Sequence, residues 1–358
     1  MFTILSFIVV IGIIVFVHEL GHFLAAKMSG VRAEVFSLGF PPKIFSKKYG
    51  ETEYQICWIP LGGYVKMSGM MDESFDDDFD PNDPRGFIAQ SFIKRAFIIT
   101  AGVIMNGLLA FVIYTAVTFS EGVGDYGDTL ISQVAPDSPA DKAGILPGDL
   151  LTSVEGQEVE LWSELTGLIT DHPDDPIEVT WLRQDSLYTS KITPLARPSI
   201  NFETGERDTV GQIGVVGTMV MRDVNIIQAF GHGTAQVVGI INLNIISLRW
   251  LLTGKAKIRE LSGPLGIAKM SGDSARSGLI SFVTFIAYIS VSIGFLNILP
   301  IPMLDGGHLG FMIIEAIIRR PIPEKLKLNL MKVGMAALLL LILLVSYHDI
   351  IRIFVSSN

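Results

Sequence analysis

The sequence predicts a polytopic α-helical membrane protein with four transmembrane helices, an inserted extracytoplasmic β-rich domain and a membrane-associated β-hairpin. Two observations lead to this class. Hydrophobic residues make up 49% of the 358 residues and charged residues only 18%, whereas soluble domains carry about 25% charged residues. Long apolar segments also alternate with polar stretches in which apolar residues recur at every second position, as they do in strands. The pattern predicts membrane spans joined by folded polar segments.

Four segments are long enough to cross the hydrocarbon core, which takes about 20 apolar residues. They are residues 2–24, 96–119, 279–301 and 333–351. The first is not expected to be a removable signal peptide, because its apolar run is too long, no basic residues precede it and no small-residue cleavage site follows it.

Basic residues orient the predicted spans. Lys and Arg are concentrated in the loops 25–95 and 319–327, so both loops are expected in the cytoplasm. The N-terminus, residues 120–278 and the C-terminus then lie outside. Within this outer region, residues 223–278 are predicted to be an amphipathic linker at the membrane surface, in which 224–252 forms one or two helices.

Two stretches read as β-structure. A small domain is predicted over 125–217, where apolar residues alternate in runs such as 129–134 and 177–182 and one helical run, 161–169, lies between strands. The segment 34–69 also alternates and turns at "KKYGET". We expect part of it to dip into the bilayer, where non-helical backbone persists only if protein covers it or it lines a wet cavity.

Charge and cysteine content exclude several kinds of site. The net charge is −9, and the chain lacks the basic patch typical of nucleic-acid binding, so no nucleic-acid partner is expected. The acidic run 72–80 is expected to be a solvated loop. The single cysteine, Cys57, excludes an internal disulfide and a cysteine-built zinc site. A metal ion would therefore need His, Asp and Glu ligands.

The segment "FVHELGHFLA" (16–25) places three polar residues inside the first predicted span. His18 and His22 are four residues apart, so on a helix they share one face and can bind one ion, with Glu19 beside it as a base. A histidine pair satisfied within a core is the alternative reading. Polar residues inside a membrane span are costly and functional by default, and this favours a catalytic Zn²⁺ site.

A catalytic zinc usually has three protein ligands, and the sequence offers Asp305 as the third. It follows the span 279–301, where prolines break the helix and two glycines allow a tight turn. With the predicted orientation, Asp305 and His18 lie at the same membrane depth, provided that 224–252 does not cross. A surface Asp at a helix end is the alternative, and His308 is a competing ligand.

These motifs resemble the site-2 protease family, and within it the bacterial regulator-of-sigma-E type of intramembrane zinc protease. The resemblance rests on "HELGH", on "NILPIPMLDGGH" beside the third span and on a central stretch similar to bacterial PDZ domains, "APDSPADKAGILPGDLLTSVEG". Three further segments match: "IPLGGYVKM" (59–67), "KRAFIITAG" with Asn106 (94–106) and "SGPLGIA" (262–268).

The resemblance implies zinc ligands His18, His22 and Asp305, the base Glu19, and a bacterial inner (plasma) membrane location. The protease would then consist of two halves, 1–119 and 279–358. Three details depart from the family pattern. This chain reads "GFPP" and "AGV" where relatives often read "GFGP" and "AGP", and it has room for one PDZ domain where relatives often have two.

Four residues are expected to handle substrate. The resemblance implies such a role for Asn297 and Pro300. Gly62 and Gly63 follow the alternating run "YQICWI" and allow a close backbone approach. We therefore expect an edge strand within 54–66 to hold an extended substrate next to the zinc.

The expected activity is cleavage of the transmembrane segments of single-span proteins, such as anti-sigma factors or signal-peptide remnants, that another protease has already trimmed. The PDZ domain would bind peptide C-termini or edge strands, or would only block access. A non-cleaving, metal-binding PDZ adaptor is the alternative, and Glu19 argues against it because a pure binding site needs no base. A zinc transporter is a weaker alternative, since it leaves the peptide-binding domain unexplained.

Overall fold

The computed structural model describes residues 1–70, 83–200, 207–257, 259 and 261–355, and the acidic run 72–80 lies outside them. The chain forms two compact units. The first contains Met1–Val117 and Ala229–Asn358, and the second contains Thr118–Gln228. The β-rich domain predicted over 125–217 falls within the second unit.

The secondary structure is largely helical in the first unit and largely β in the second. In chain order the helices are α1 (Phe2–Ser29), α2 (Phe92–Glu121), α3 (Pro139–Lys142), α4 (Trp162–Thr170), α5 (Ile226–Leu252), α6 (Pro264–Arg276), α7 (Leu279–Asn297), α8 (Asp305–Ile318) and α9 (Glu324–Val355). The strands are β1 (Ala33–Tyr49), β2 (Thr52–Met67), β3 (Val123–Val134), β4 (Leu150–Val154), β5 (Gln157–Glu158), β6 (Ile177–Arg183), β7 (Ser186–Ile192), β8 (Leu195–Ile200), β9 (Arg207–Gln212) and β10 (Val215–Arg222).

Five helices among the described residues are long and apolar enough to cross a membrane: α1, α2, α5, α7 and α9. Four of them coincide with the predicted spans, although α9 begins nine residues before residue 333 and α7 ends at Asn297, three residues before Pro300. The count of four spans is not confirmed, because α5 meets the same length and composition criteria.

Helix α5 packs along other apolar helices. Its Phe230 ring lies 5.5 Å from that of Phe111 on α2, and Ile240 is buried in a cluster with Ala110 of α2 and Val291 of α7. These contacts pack α5 against α2 and α7, and the amphipathic surface linker over 223–278 stays a prediction. Ile226–Leu252 form one continuous helix. Its polar Asn244 donates to Ser292 of α7 at 3.4 Å.

Helix α6 lies across one end of the helix bundle. At its start, the backbone N–H groups of Gly263 and Gly266 donate to Asp349 of α9 at 3.0 and 2.8 Å. At its end, Arg276 donates to Thr3 of α1 at 3.0 Å. The contact of Gly233 with Thr115, near the C-terminal end of α2, is at this same end. Residues 233 and 263 therefore lie at the same end of the helix bundle. The chain between them, which includes most of α5, returns to the end from which it started, and α7 begins at that end.

The long strands β1 and β2 together form one sheet in which four strand segments lie side by side. Val35 pairs with both Lys66 and Glu53, and Gln55 pairs with both Ser37 and Ser46. Each long strand therefore folds back, and the order across the sheet is 62–67, 33–40, 52–59 and 43–49. The segment 62–67 is one edge. Residues 52–59, which contain part of the predicted edge strand, lie in the interior of the sheet.

The second unit is built around an antiparallel sheet with the order β10, β3, β4, β6 and β7, in which β5 also pairs with β4. Strands β8 and β9 form a separate antiparallel pair. Alternating apolar residues from β4 and β6 pack against α4, and Leu151, Leu165 and Val179 are fully buried. Burial of one face explains the alternation seen in the sequence.

Candidate metal centre

The two motif histidines lie on the buried stripe of α1. Residues 6, 10, 14, 18 and 22 are all buried and recur every fourth position, so they share a helix face. His18 and His22 therefore point into the bundle, between α1 and α2, and both are 7% exposed. A polar pair at this depth needs partners within the protein.

Asp305 meets the two histidines at its Oδ2 atom. Oδ2 lies 3.1 Å from Nε2 of His18 and 3.5 Å from Nε2 of His22, and the two Nε2 atoms are 3.2 Å apart. Among the described residues, these three form the group able to hold a metal ion.

The three donor atoms fit a zinc ion. Ligand atoms about 2.0–2.1 Å from a tetrahedral zinc are about 3.3 Å from one another, close to the separations of 3.1, 3.2 and 3.5 Å observed here. Oδ2 of Asp305 is buried without a hydrogen-bond donor among the described residues, and such an oxygen is suited to a cation. The nitrogen and carboxylate set also matches the preference of Zn²⁺.

Helix α2 packs against the two histidines. The carbonyl of Ile98 accepts from Nδ1 of His22 at 2.8 Å, and this turns Nε2 toward Asp305. One turn further along, Gly102 leaves room for both imidazoles, because a Cβ there would clash with Nε2 of His22 and lie 2.8 Å from Cε1 of His18. In return, a Cβ on Gly21 of α1 would lie 2.5 Å from the carbonyl of Ala101. The site depends on this close helix approach.

A tight turn between α7 and α8 delivers Asp305. Gly306 and Gly307 pack so closely on the carbonyls of Ile298, Leu299 and Ile301 that a Cβ at either position would clash. Met303 has a φ of 86°, in the left-handed region that non-glycine residues seldom adopt. The packed turn therefore holds a strained residue two positions before Asp305, which is a common arrangement at functional sites.

A cavity of about 240 Å³ contains the three residues together with Glu19. Asn297, Gly62 and Gly63 also line it, whereas Pro300 is not among its lining residues and lies 3.9 Å from the Cβ position of Gly310 on α8. A Cβ on Gly63 would lie 3.1 Å from Cγ of Glu19, so the edge segment 62–67 passes beside the Glu19 side chain. His308 lines the cavity but is outside the three-residue cluster.

The β1–β2 sheet is attached to the end of α1 through its turn. Lys27 donates to Glu51 at 2.8 Å, and Arg85 donates to the same carboxylate. These hydrogen bonds lower the pKa of Glu51 to about 2. Large apolar side chains elsewhere on the sheet are exposed, among them Phe45, Ile56 and Trp58, as expected of a sheet that contacts lipid.

The comparisons with known proteins decide the family. Residues 6–341 match the model of peptidase family M50. The chain belongs to this family. The resemblance to the site-2 proteases is thereby confirmed, and the chain is a zinc metalloprotease. The five long apolar helices of its described residues are those of a multi-pass membrane protein.

M50 relatives match over almost the whole chain. A protein of Rhizobium meliloti is 34% identical, with 99% of this chain and 97% of the relative covered. Zinc metalloprotease RasP of Geobacillus kaustophilus is 30% identical, with 98% of each chain covered. Regulator of sigma-W protease RasP of Bacillus subtilis is 28% identical, with 98% of this chain and 99% of the relative covered.

Among solved structures, the PDZ domain of an SdrC-like protein from Listeria monocytogenes matches 26% of this chain and 90% of its own, at 25% identity and a TM-score of 0.21.

Sequence motifs alone did not assign roles to Ile98 and Gly102. A backbone carbonyl leaves no signal in a sequence, and a glycine in an apolar helix is common in membrane proteins. The one available signal was the spacing of Ile98, Gly102 and Asn106 at every fourth position of α2, which places them on one stripe.

We predict that Gly102→Ala weakens zinc binding. Overpacking of this kind costs about 1–3 kcal/mol, and the added methyl group meets the ligand atoms themselves, so zinc affinity should fall by about tenfold or more. Competition with a chromophoric chelator on detergent-purified protein measures it. Gly107→Ala is the matched control, because it adds the same methyl group to the same helix with nothing within 4 Å. Equal affinities for the two variants would contradict the packing argument.

Proposed function

We propose that this M50 protein is an intramembrane protease that cleaves the transmembrane segments of single-span membrane proteins. The observation that carries the proposal is the convergence of His18, His22 and Asp305 beside Glu19, in a cavity lined by apolar helices and by the β1–β2 sheet. A hydrolytic site at this depth is suited to peptide bonds that lie within the membrane. Anti-sigma factors and signal-peptide remnants are the substrate classes that fit.

In this proposal His18, His22 and Asp305 hold the zinc ion and Glu19 is the base. The ion, when bound, supplies a Lewis acid that polarises the scissile carbonyl and acidifies an attacking water. Glu19 takes the proton from that water and passes it to the leaving amine. Asn297, whose Nδ2 lies 3.2 Å from Nε2 of His18, is near enough to donate a hydrogen bond to the carbonyl oxygen. For Pro300 we propose an indirect role, through the packing of the turn on α8.

The membrane orientation follows from charge. The basic loops 25–95 and 319–327 favour a cytoplasmic position for the metal-bearing ends of α1 and α7, and residues 118–228 then lie outside, in a bacterial inner membrane. The contacts of residues 233 and 263 at one end of the bundle support this orientation, since the side on which α7 begins does not depend on whether α5 enters the bilayer.

The second unit is proposed to be a PDZ domain that selects substrates. Its sequence from 135 to 156 carries the PDZ-like motif, and β10 is an edge strand of its sheet. A cavity of about 340 Å³ lies beside α4 and is lined by Trp162, Leu165 and Val215 among others. This geometry favours addition of a peptide strand, such as a C-terminus exposed when another protease trims the substrate.

A transmembrane substrate must be unwound before cleavage, because a helix keeps each carbonyl in its own hydrogen bonds. Each unsatisfied group in lipid costs several kcal/mol, so the extended segment needs a strand to pair with. The edge segment 62–67 is suited to this role because it lines the cavity and passes beside Glu19. Gly62 and Gly63 are then the positions at which substrate backbone approaches most closely.

The alternative of a non-cleaving adaptor is less well supported. A metal site that served only structure would be closed by a fourth protein ligand, whereas here the described residues supply three donors and the cavity brings Glu19 beside them. A transporter would need further sites along a path, and one three-residue cluster is present in the described part of the chain.

The first test is Glu19→Gln. We expect zinc content close to that of the unaltered protein, because the three ligands remain, and cleavage reduced by about 10²–10⁴-fold, the contribution typical of a general base. Metal analysis and cleavage of a tagged single-span substrate by the purified protein provide the two readouts. Turnover within a few-fold of normal would rule out Glu19 as the base and with it the proposed mechanism.

The second test is disulfide crosslinking to a trapped substrate in the Glu19→Gln background, with Cys57 replaced by Ser. Cysteines placed one at a time at 63–67 should crosslink to the substrate with a period of two, because neighbouring strand residues point to opposite faces. Cysteines at 44–48, on the opposite edge of the same sheet, are the control and should not crosslink. A helical period, or stronger crosslinking at 44–48, would exclude strand addition at this edge.

A further inference from the structure

Asn106 is a buried polar residue beside a proposed zinc ligand. It lies on α2 and is 0% exposed, and its Nδ2 is 3.3 Å from Nδ1 of His18. Its Oδ1 is buried and has no hydrogen-bond partner among the described residues. An amide left unsatisfied in this way costs about 1–3 kcal/mol, so a membrane helix carries one here only at a cost to stability.

We propose that Asn106 is a positioning residue for the metal site. Its Oδ1 accepts a hydrogen bond from Nδ1–H of His18, and this leaves the Nε2 lone pair of His18 directed at the metal. The inference rests on the metal site described under Proposed function. It adds Asn106 to that site as a positioning residue and assigns the tautomer of His18.

The Nε2 atoms of the two histidines face the proposed metal position. Nε2 of His18 is directed at Oδ2 of Asp305, at 3.1 Å, and is 3.2 Å from Nε2 of His22. A histidine that binds metal through Nε2 must carry its proton on Nδ1, and that N–H group needs an acceptor. For His22 the acceptor is the carbonyl of Ile98, at 2.8 Å. For His18 the side chain in hydrogen-bonding reach of Nδ1 is Asn106.

The amide of Asn106 meets this need when it presents its oxygen. An amide can present either its oxygen or its NH₂ group to a neighbour, and the partners decide which. A half-turn about the Cβ–Cγ bond places Oδ1 opposite Nδ1–H of His18. That orientation gives the oxygen a donor and the histidine an acceptor, while the NH₂ group moves to the side on which the oxygen had no partner among the described residues. The requirement of His18 for an acceptor therefore decides the orientation.

Helix α7 packs against Asn106 from the opposite side. Ser290 donates from Oγ to the backbone carbonyl of Asn106 at 3.0 Å, and a Cβ on Gly294 would lie 3.4 Å from Cβ of Asn106. Since α7 leads directly into the turn that carries Asp305, the same helix supports the third ligand and the residue that orients the first.

The test compares zinc affinities of full-length, detergent-purified variants by competition with a chromophoric chelator. Asn106→Leu, which removes the acceptor at similar volume, should bind Zn²⁺ about 10–100-fold more weakly, the usual loss when a partner of a metal-binding histidine is removed. Asn106→Asp keeps an acceptor and should bind Zn²⁺ about as tightly as the unaltered protein. Ser290→Ala removes the hydrogen bond to the backbone of Asn106 and should have little effect.

The second readout is the hydrogen bond of His18 itself, which does not require a variant of Asn106 to fold. In zinc-loaded protein labelled with ¹⁵N-histidine, the Nδ1–H proton of His18, assigned by its loss in His18→Asn, should have the downfield shift of a hydrogen-bonded ring N–H. An Nδ1–H proton without that shift, or an Asn106→Leu variant with unchanged zinc affinity, overturns the proposal. Equal losses in Ser290→Ala and Asn106→Leu also overturn it, because helix packing would then explain both.

These outcomes separate the inference from the proposed site. If His18→Asn retains zinc, the metal site itself is wrong and the role of Asn106 is wrong with it. If His18→Asn loses zinc and Asn106→Leu does not, the metal site stands and the positioning role alone fails.

Discussion

The close contact between α1 and α2 is the constraint on which the rest of the structure depends. In a bilayer no hydrophobic force drives two apolar helices together, so they approach closely only where small residues permit it. Gly21 on α1 and Gly102 on α2 provide that approach, each at a position where a Cβ would meet the other helix. The approach brings the carbonyl of Ile98 and the side chain of Asn106 to the outer nitrogens of the two histidines. Their inner nitrogens are then left for one shared ligand.

The second half of the chain completes the site through a tight turn. Asp305 is delivered by a turn whose backbone is packed too tightly for any residue except glycine at 306 and 307. Its Oδ2 lies within 3.5 Å of both Nε2 atoms. Because the ligands come from α1 and from the start of α8, the metal would join two regions separated by almost the whole chain. Removal of the metal should therefore loosen their association, since a carboxylate and two imidazoles remain buried together without it.

Sequence patterns predicted much of this arrangement but not all of it. The spacing of His18, Glu19 and His22, and the depth of Asp305, follow from helix periodicity and membrane orientation, which act locally. Helix α5 was harder to predict. Scattered polar residues such as Asn244 lower its apolar character, and the sequence does not show that α7 supplies a partner for Asn244. The strand order of the β1–β2 sheet was harder still to predict. Alternation identifies a strand, but whether 52–59 or 62–67 forms an edge depends on how each strand folds back on the other. The roles of Gly102 and Asn106 depend on contacts between distant helices, which no local pattern reports.

X-ray absorption at the zinc edge tests the central claim, that residues from both halves of the chain hold one zinc ion. In an Asp305→Cys variant, a sulfur scatterer should appear at about 2.3 Å, the Zn–S distance. The unaltered protein, whose single cysteine is Cys57 in the β1–β2 sheet, should have none, and neither should His308→Cys. Zinc retained in Asp305→Cys without a sulfur ligand, or a sulfur ligand in His308→Cys, would contradict the account.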